Sequence, residues 1–412
     1  MQNRHPTDKS QVLIAGAGPV GLICALRLSQ AGVPVTVFEQ HDRLLDDPRA
    51  ATTHPATLEM LDEIGIEAEV ETQGLVCAEF KFWDRPSGDL VACFDHALLA
   101  DETRFPYVVQ CEQFKIARIT LARLQSFPSC EVLFSHRVTA ASQDDKGASI
   151  TVDDPDGTPQ TVSGDFLIGA DGGQSTARKS VNIDLQGFTY NERFVVLTTP
   201  FDFGADGRYA YRNYFADPDE WCNLFKVAAD GPPGLWRTVF PTIAGETDEE
   251  VLRDDAVQAR LQKFFPRSGD YEVIHRNLYV THQRVANTFK AGRVLLAGDA
   301  AHLNNPIGGM GLNGGIHDAM NLTEKLVRIL RGDAEISDLS LYDLQRRTIT
   351  KEFVQAQTIQ NKQRLEEKDP ERRLTALDDL RDRAADPVRA KEFLLGTSML
   401  ASVRRAATLG QA

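Results

Sequence analysis

At 412 residues, with 42% hydrophobic and 25% charged residues, the chain is long enough for more than one packed unit, and its composition excludes a disordered or low-complexity polypeptide. A formal charge of -14 argues against binding driven by neutralising nucleic-acid phosphates, because the 59 Asp and Glu outnumber the 45 Lys and Arg. The six cysteines form no Cys-x-x-Cys pair and no thiolate metal cluster, and read as reduced thiols of a cytoplasmic protein with no metal site.

Met1 to Gln11 is polar. The apolar stretch Val12 to Leu26 is too short to span a bilayer and is broken by Gly16, Gly18, Pro19 and Gly21, so neither a signal peptide nor membrane insertion is expected. Val12 to Ala15 reads as a strand, Pro19 to Gln30 as a helix and Val33 to Phe38 as a second strand, a βαβ opening that predicts a doubly wound parallel sheet. Glu79 to Asp95 predicts a hairpin turning at Pro86-Ser87-Gly88, part of another sheet. Gln113 to Ser126 has helical spacing, followed by strands near Val132 to Phe134, Ser149 to Val152 and Phe166 to Ala170. Asn191 to Pro241 alternates aromatic and polar residues as an antiparallel sheet with one covered face does. Val294 to Ala297 is a buried strand, and a long helix is predicted from about Gly314 to Arg331. The rest is helical, with Asp369 and Asp386 as N-caps before proline, which predicts three closing helices.

Two motifs carry chemistry. Gly16-Ala17-Gly18-Pro19-Val20-Gly21 is a G-x-G-x-x-G between strand and helix, and Glu39, followed by Gln40, ends the second strand where a carboxylate can meet a ribose. The first glycine permits the turn, the second the approach of a pyrophosphate and the third close helix packing, with the helix N-terminus facing the phosphates. This motif alone leaves FAD and NAD both open. The second, Arg293 to Asn313, reads RVLLAGDAAHLNNPIGGMGLN: a strand, then Gly298-Asp299, then a turn rich in glycine ahead of a helix.

With this second motif the chain resembles the single-component FAD-dependent aromatic monooxygenases of the p-hydroxybenzoate hydroxylase type, which carry a Gly-Asp-x-x-His segment and a Pro-x-Gly-x-x-Gly-Leu-Asn-like continuation. Asp165 to Arg178, with Asp171, Gly172, Ser175 and Arg178 in register, is similar to the same family's Asp-Gly motif. The resemblance spans roughly residues 11 to 330. It implies an α/β fold, in which a discontinuous Rossmann-like FAD-binding domain (1–75, 105–185 and 275–340) interleaves with a mostly antiparallel substrate domain (76–104 and 186–274) ahead of C-terminal helices (341–412). It also implies non-covalent FAD, with Arg49, Gln110, Asp171, Gly298, Asp299, Gly309, Gly311, Leu312 and Asn313 joining the first motif as cofactor residues. Asp299 suits ribityl hydroxyls, and the amides of Leu312 and Asn313 at a helix N-terminus suit negative charge on reduced flavin. Pro306 is placed beside the reacting centre. His302 reads as structural, and His54, His282 and His317 as weak candidates for polar contacts.

No second G-x-G-x-x-G stands in strand-helix context, so NAD(P)H is expected to bind transiently, reduce the flavin and leave. O2 would then form a flavin 4a-hydroperoxide that hydroxylates a phenolic or hydroxylated N-heteroaromatic substrate, with no separate reductase. The resemblance also admits a homodimer. Three other readings stay open: a halogenase, which the lack of a Trp-x-Trp-x-Ile motif disfavours; a reductase or epoxidase of the same fold; and a non-catalytic flavin-binding redox or partner-binding protein.

For the substrate, strand alternation puts Tyr209, Tyr211, Asn213 and Phe215 on one face, and Arg208, Ala210, Arg212 and Tyr214 on the other. The aromatic face is taken as the pocket wall, with Asn223 and Phe225 beside it, which predicts recognition by stacking and neutral hydrogen bonds. Periodicity alone does not separate a pocket wall from core packing. A carboxylated substrate would need a cation, with Arg212 or Arg237 as candidates.

Overall fold

The computed structural model describes residues 12–46 and 49–410. The polar segment Met1 to Gln11 and the acidic residue 47 lie outside the described residues. A six-stranded sheet forms one half of the fold, in the order Lys290–Ala291, Val294–Leu296, Phe166–Gly169, Val12–Ala15, Val35–Phe38, Cys130–Leu133. All its pairings are parallel except that of the first two strands. Val12–Ala15 is buried along its whole length, as a strand covered on both faces must be. Its neighbours arrive from opposite directions in the chain, so a crevice opens at its carboxyl end, where Gly16 follows. The helices Pro19–Gln30, Gln113–Leu124 and Met310–Leu330 bury their apolar sides in one core with this sheet. A three-stranded antiparallel sheet, Pro159–Gly164, Ala148–Asp153 and Arg137–Gln143, closes the other face.

The second half is an eight-stranded, mostly antiparallel sheet. It includes the hairpin Glu79–Asp84 and Asp89–Asp95, then Leu185–Thr199, Arg212–Ala216, Cys222–Val227, Leu235–Pro241 and His275–Ala286. Each face covers its own core. Trp83, Phe203, Phe215, Trp236 and Phe240 pack against the helix Asp254–Phe264, while Phe80, Phe94, Tyr214 and Val239 pack against C-terminal helices through Leu365, Leu377 and Leu394.

The closing region holds more than the three helices predicted. Leu339–Ile349 runs through a π-helical turn, Thr350–Gln355, into Ala356–Glu366, and Pro370–Ala385, Pro387–Thr397 and Leu400–Thr408 follow. Asp369 and Asp386 do cap their helices, accepting from the amides of Arg372 and of Val388 and Arg389. The long helix begins at Met310, about a turn before the expected Gly314. Gly309 precedes it at φ +71°, and Gly314 and Gly315 lie inside it because neighbours press on their bare backbone: a Cβ on Gly315 would stand 2.6 Å from Val20 Cγ2.

Candidate active site

The G-x-G-x-x-G turn has the shape its spacing demands. Gly16 has φ +97° and lies so close to the next strand that a Cβ would meet the Ala170 carbonyl oxygen at 2.5 Å; a Cβ on Gly21 would meet the Gly16 oxygen at 2.0 Å. Gly18 differs from both, having nothing within 4 Å of an added Cβ, so its backbone faces open space at the start of the helix. Pro19 occupies the first helical turn, and Val20 wedges between Gly298 and Gly315. Glu39 turns back onto this loop, its Oε2 accepting from the Ala17 amide at 2.9 Å and its Oε1 from the His41 amide at 3.0 Å, while Gln40 is exposed beside it.

The other motifs close on the same turn. Asp171 accepts from Ser175 Oγ at 2.5 Å and from the amides of Thr176 and Ala177, so its carboxylate caps a short helix next to Gly16. Arg178 leaves that helix to donate to the Ala300 carbonyl at 3.0 Å and the Gly173 carbonyl at 2.9 Å. Asp299 is exposed between the buried Gly298 and Ala300, and desolvation by its surroundings raises its carboxyl pKa, with His302 and Arg49 opposing. Gln110 accepts from Thr52 Oγ1 at 3.1 Å, but its Nε2 is buried without a partner.

Asn313 acts through its side chain. Oδ1 accepts from the His54 amide at 2.9 Å, and Nδ2 donates to the carbonyls of Thr52 and Gly309. Because the helix starts at Met310, the amides left free of helical bonding are those of Met310, Gly311 and Leu312, while the Asn313 amide falls within the hydrogen-bonded ladder. Beneath this turn sits a cluster that sequence reading missed apart from His302. Asp318 accepts from His302 Nε2 at 2.7 Å, the Gly298 amide at 3.0 Å and Arg346 Nε at 2.7 Å. Burial pushes Asp318 up, but the charges of His302 and Arg346 overcome it and hold the carboxyl below its ordinary range. Of the other histidines, His54 donates to the Gly308 carbonyl, His317 meets Thr57, and His282 meets Thr189 on the sheet.

These residues fit FAD. The open backbone at Gly18, the orphaned Gln110 amide, the reachable Asp299 and the free amides of Met310–Leu312 supply, in turn, a phosphate approach, a donor, a hydroxyl acceptor and a positive helix end.

Next to this turn lies a small cavity. Ile307, Gly308 and Met310 of the motif line it on one side, Phe80, Phe82, Arg212 and Tyr214 of the sheet on another, and Gln357, Asn361, Leu365, Phe393 and Thr397 of the C-terminal helices on a third. Pro306 is exposed and hands the chain to Ile307.

The pocket face is therefore the reverse of the one expected. The strand begins only at Arg212, and Arg212 and Tyr214 point to the cavity. Asn213 turns away to bond Trp83 Nε1 and the backbone of Ala210; Tyr209 packs on Trp83 and Phe215, and Tyr211 is 38% exposed. Asn223 and Phe225 share the side of Tyr214 and Arg212 as their respective cross-strand partners, Phe225 with its ring 5.7 Å from that of Tyr214. Arg237 lies on that side too, but donates to the Arg49 carbonyl at 3.0 Å and does not line the cavity.

The family described as the FAD binding domain matches residues 9–357, most of the chain. The chain belongs to the single-component FAD-dependent aromatic hydroxylases. This hydroxylase is 32% identical to the para-nitrophenol 4-monooxygenase of Pseudomonas sp. strain WBC-3, over 94% of this chain and 95% of that protein. It is 31% identical to the 6-hydroxy-3-succinoylpyridine 3-monooxygenase HspB of Pseudomonas putida strain DSM 28022 / S16, over 88% and 90%. The crystal structure of p-nitrophenol 4-monooxygenase PnpA from Pseudomonas putida DLL-E4 superposes with a TM-score of 0.88 at 31% identity, covering 94% of the hydroxylase and 97% of that chain. Like its relatives, the hydroxylase is an FAD enzyme, with NAD(P)H and O2 as co-substrates. Among the described residues no helix is long and apolar enough to cross a membrane.

Proposed function

We propose that the protein hydroxylates a small phenolic or hydroxypyridine-type ring held in the cavity beside Gly308, within one polypeptide that takes electrons directly from NAD(P)H. The observation that carries this reading is the shared wall: the turn fitted to FAD continues as Ile307, Gly308 and Met310 into the lining of an otherwise mostly apolar cavity. The relatives named for para-nitrophenol and for a hydroxylated pyridine support the same ring chemistry.

Bound FAD supplies the oxygen-transferring chemistry, and the protein supplies placement and surroundings. Phe80, Phe82, Tyr214 and Phe393 offer flat apolar surfaces that orient a ring and exclude water from it. The free amides of Met310, Gly311 and Leu312 stabilise negative charge at the helix end. Gly16, Gly18 and Gly21, with Glu39, hold the dinucleotide end, and Asp299, Gln110 and Arg49 the middle. Asp171 and Asn313 fix the backbone that does this, the first through a helix cap and the second through Thr52, His54 and Gly309. A neighbouring surface groove shares Gln357, Asn361, Phe393 and Thr397 with the cavity, which supports substrate entry between Ala356–Glu366 and Pro387–Thr397. The six unpaired thiols suit a reducing, cytoplasmic setting.

The test is to purify the protein with its FAD and supply NAD(P)H, O2 and a panel of phenols and hydroxypyridines. Ring-dependent NAD(P)H consumption with a hydroxylated product, and no added reductase, is expected. Turnover only with externally reduced flavin would overturn the single-polypeptide reading.

A further inference from the structure

Two helices stand between the cavity and the surface groove. Gln357 and Asn361 of Ala356–Glu366, with Phe393 and Thr397 of Pro387–Thr397, line both spaces, so the partition there is one side chain thick. Leu365 lines the cavity but not the groove.

The two helices are held by different parts of the fold. The first is tied to the turn fitted to FAD. Gln355 Nε2, one residue ahead of it, donates to the Leu303 carbonyl at 2.9 Å, Asn305 Nδ2 donates to the Thr358 carbonyl at 3.0 Å, and Asn361 Nδ2 donates to the Ile307 carbonyl at 3.3 Å. The second is pinned on its outer side, where Lys391 pairs with Asp101 and Glu102, and Arg389 with Asp379. Among the described residues no hydrogen bond or ion pair joins one helix to the other. The half-buried ring of Phe393 closes the seam instead. Its centroid lies 4.5 Å from that of Phe94 and 6.5 Å from that of Phe80, and the Arg364 guanidinium carbon stands 5.9 Å from it.

The other three members of the partition are poor stops. Asn361 is committed to the Ile307 carbonyl, the Thr397 hydroxyl donates back to the Phe393 carbonyl at 3.2 Å, and Gln357 is an unbranched amide free to turn toward the groove. Phe393 is large, flat and packed on a fully buried ring, so an added group on the substrate meets it as a fixed wall.

We propose that Phe393 sets the size limit of the substrate: its side chain ends the cavity at one aromatic ring, and a phenol carrying a second ring is refused because that ring needs the place Phe393 occupies against Phe94. The proposal rests on reading the cavity as the substrate site. Removing the ring leaves a gap of phenyl shape that opens into the groove. A second ring on the substrate then offers Phe94 the same apolar surface that the side chain gave it.

The test measures dissociation constants on the FAD-loaded enzyme from the perturbation of flavin absorbance, so that turnover is not needed. The probes are 3- and 4-methylphenol against 3- and 4-phenylphenol, two isomers that point the second ring in different directions. Wild type should bind each methylphenol about tenfold tighter or more than its phenyl partner. Phe393→Ala should shift that ratio by about tenfold or more toward the phenylphenol in at least one pair, and Phe393→Leu should shift the same pair by less. Leu365→Ala, which removes apolar volume from the cavity without reaching the groove, should shift it by less than about threefold. Wild-type affinities that do not favour the methylphenols, or a ratio unchanged in both Phe393 variants, would overturn the proposal. So would an equal gain in Leu365→Ala, because total volume and not the partition would then set the limit. A Phe393→Ala protein that weakens all four probes alike or releases FAD would overturn it too, since the ring would then serve packing alone. No flavin response to any ring, in wild type or variants, would defeat the cavity as the substrate site and this inference with it, whereas methylphenol binding with an unshifted ratio defeats this inference only.

Discussion

Arg178 Nη1 donates to the carbonyl oxygen of Ala300 at 3.0 Å, which fastens the segment after Phe166–Gly169 to the turn that carries Asp299. The two segments lie more than a hundred residues apart in the chain; the first borders Gly16 and the second Val20 of the glycine-rich turn. A second bond, Arg178 Nη2 to the Gly173 carbonyl, fixes the guanidinium from its other side. Arg178→Met keeps most of the packing volume but leaves two carbonyls without this donor. Hydrogen bonds of a charged donor contribute about 1.5–3 kcal/mol each, so the variant should lose about 3–6 kcal/mol and release FAD at lower temperature. Thermal unfolding followed by both circular dichroism and flavin fluorescence checks this. A wild-type melting temperature would remove Arg178 from the account of cofactor retention.

Gly18 and Gly21 should fail in different ways. An Ala at Gly21 would drive its Cβ into the Gly16 carbonyl oxygen, part of a backbone with no room to move, so the apoprotein itself should be destabilised by about 1–3 kcal/mol or more. An Ala at Gly18, where φ is -66°, meets nothing within 4 Å. Gly18→Ala should leave apoprotein stability within about 0.5 kcal/mol of wild type while weakening FAD binding at least tenfold, because the added methyl occupies the phosphate approach. Apoprotein melting curves with FAD titrations separate the two, and equal FAD affinity in Gly18→Ala would contradict the placement.

How much of this was legible in the sequence follows from what each signal encodes. The G-x-G-x-x-G loop and the Gly298–Asn313 segment could be read because their spacing is local: strand, glycine turn and helix follow one another in the chain. The start of the long helix was misplaced because Gly308, Gly309 and Gly311 read as loop. Only the packed fold shows Val20 and His302 pressing on Gly315 and Gly314, which makes glycine a requirement inside that helix. The pocket face was reversed for a related reason. Tyr209 and Tyr211 were counted into a strand that begins at Arg212, because Asn213 folds its side chain back onto Ala210 and ends the regular alternation there. The choice of face depends on which core each side meets, and the cavity's far wall, from Gln357 to Thr397, comes from helices with no local link to the sheet. Phe80 and Phe82, spaced two apart in the correctly read hairpin, were an available signal for the sheet wall that Arg212 and Tyr214 share, but not for the helical one.

The reversed face gives a direct comparison. Tyr214→Phe removes a hydroxyl that lines the cavity and accepts from Arg212, so KM should rise roughly two- to tenfold, the value of about one net hydrogen bond. Tyr211→Ala, at an exposed position outside the cavity, should leave both kcat and KM within about twofold of wild type. The opposite ranking in steady-state kinetics would restore the face first expected.

Stability should fall on mild acidification. His96 donates from Nδ1 to the Ala78 carbonyl at 2.9 Å, and burial followed by the Arg212 charge lowers its pKa from the usual 6.5 to about 4. The unfolded chain therefore binds a proton that the native state refuses, and the stability present above about pH 6.5 is lost as pH falls toward 4, by about 3 kcal/mol from this residue. His96→Gln, which can still donate to Ala78, should flatten that part of the profile. Urea unfolding at pH 7.5, 6, 5 and 4.5 measures it, and parallel profiles for the two proteins would exclude His96 as a source.

The most direct test of the hydroxylase reading is the fate of labelled oxygen. The FAD-loaded protein alone, given NAD(P)H, ¹⁸O₂ and a phenol, is expected to yield a ring-hydroxylated product carrying ¹⁸O, as read by mass spectrometry. NAD(P)H oxidation that ends only in hydrogen peroxide across the full panel of phenols and hydroxypyridines, with every ring recovered unlabelled, would contradict it.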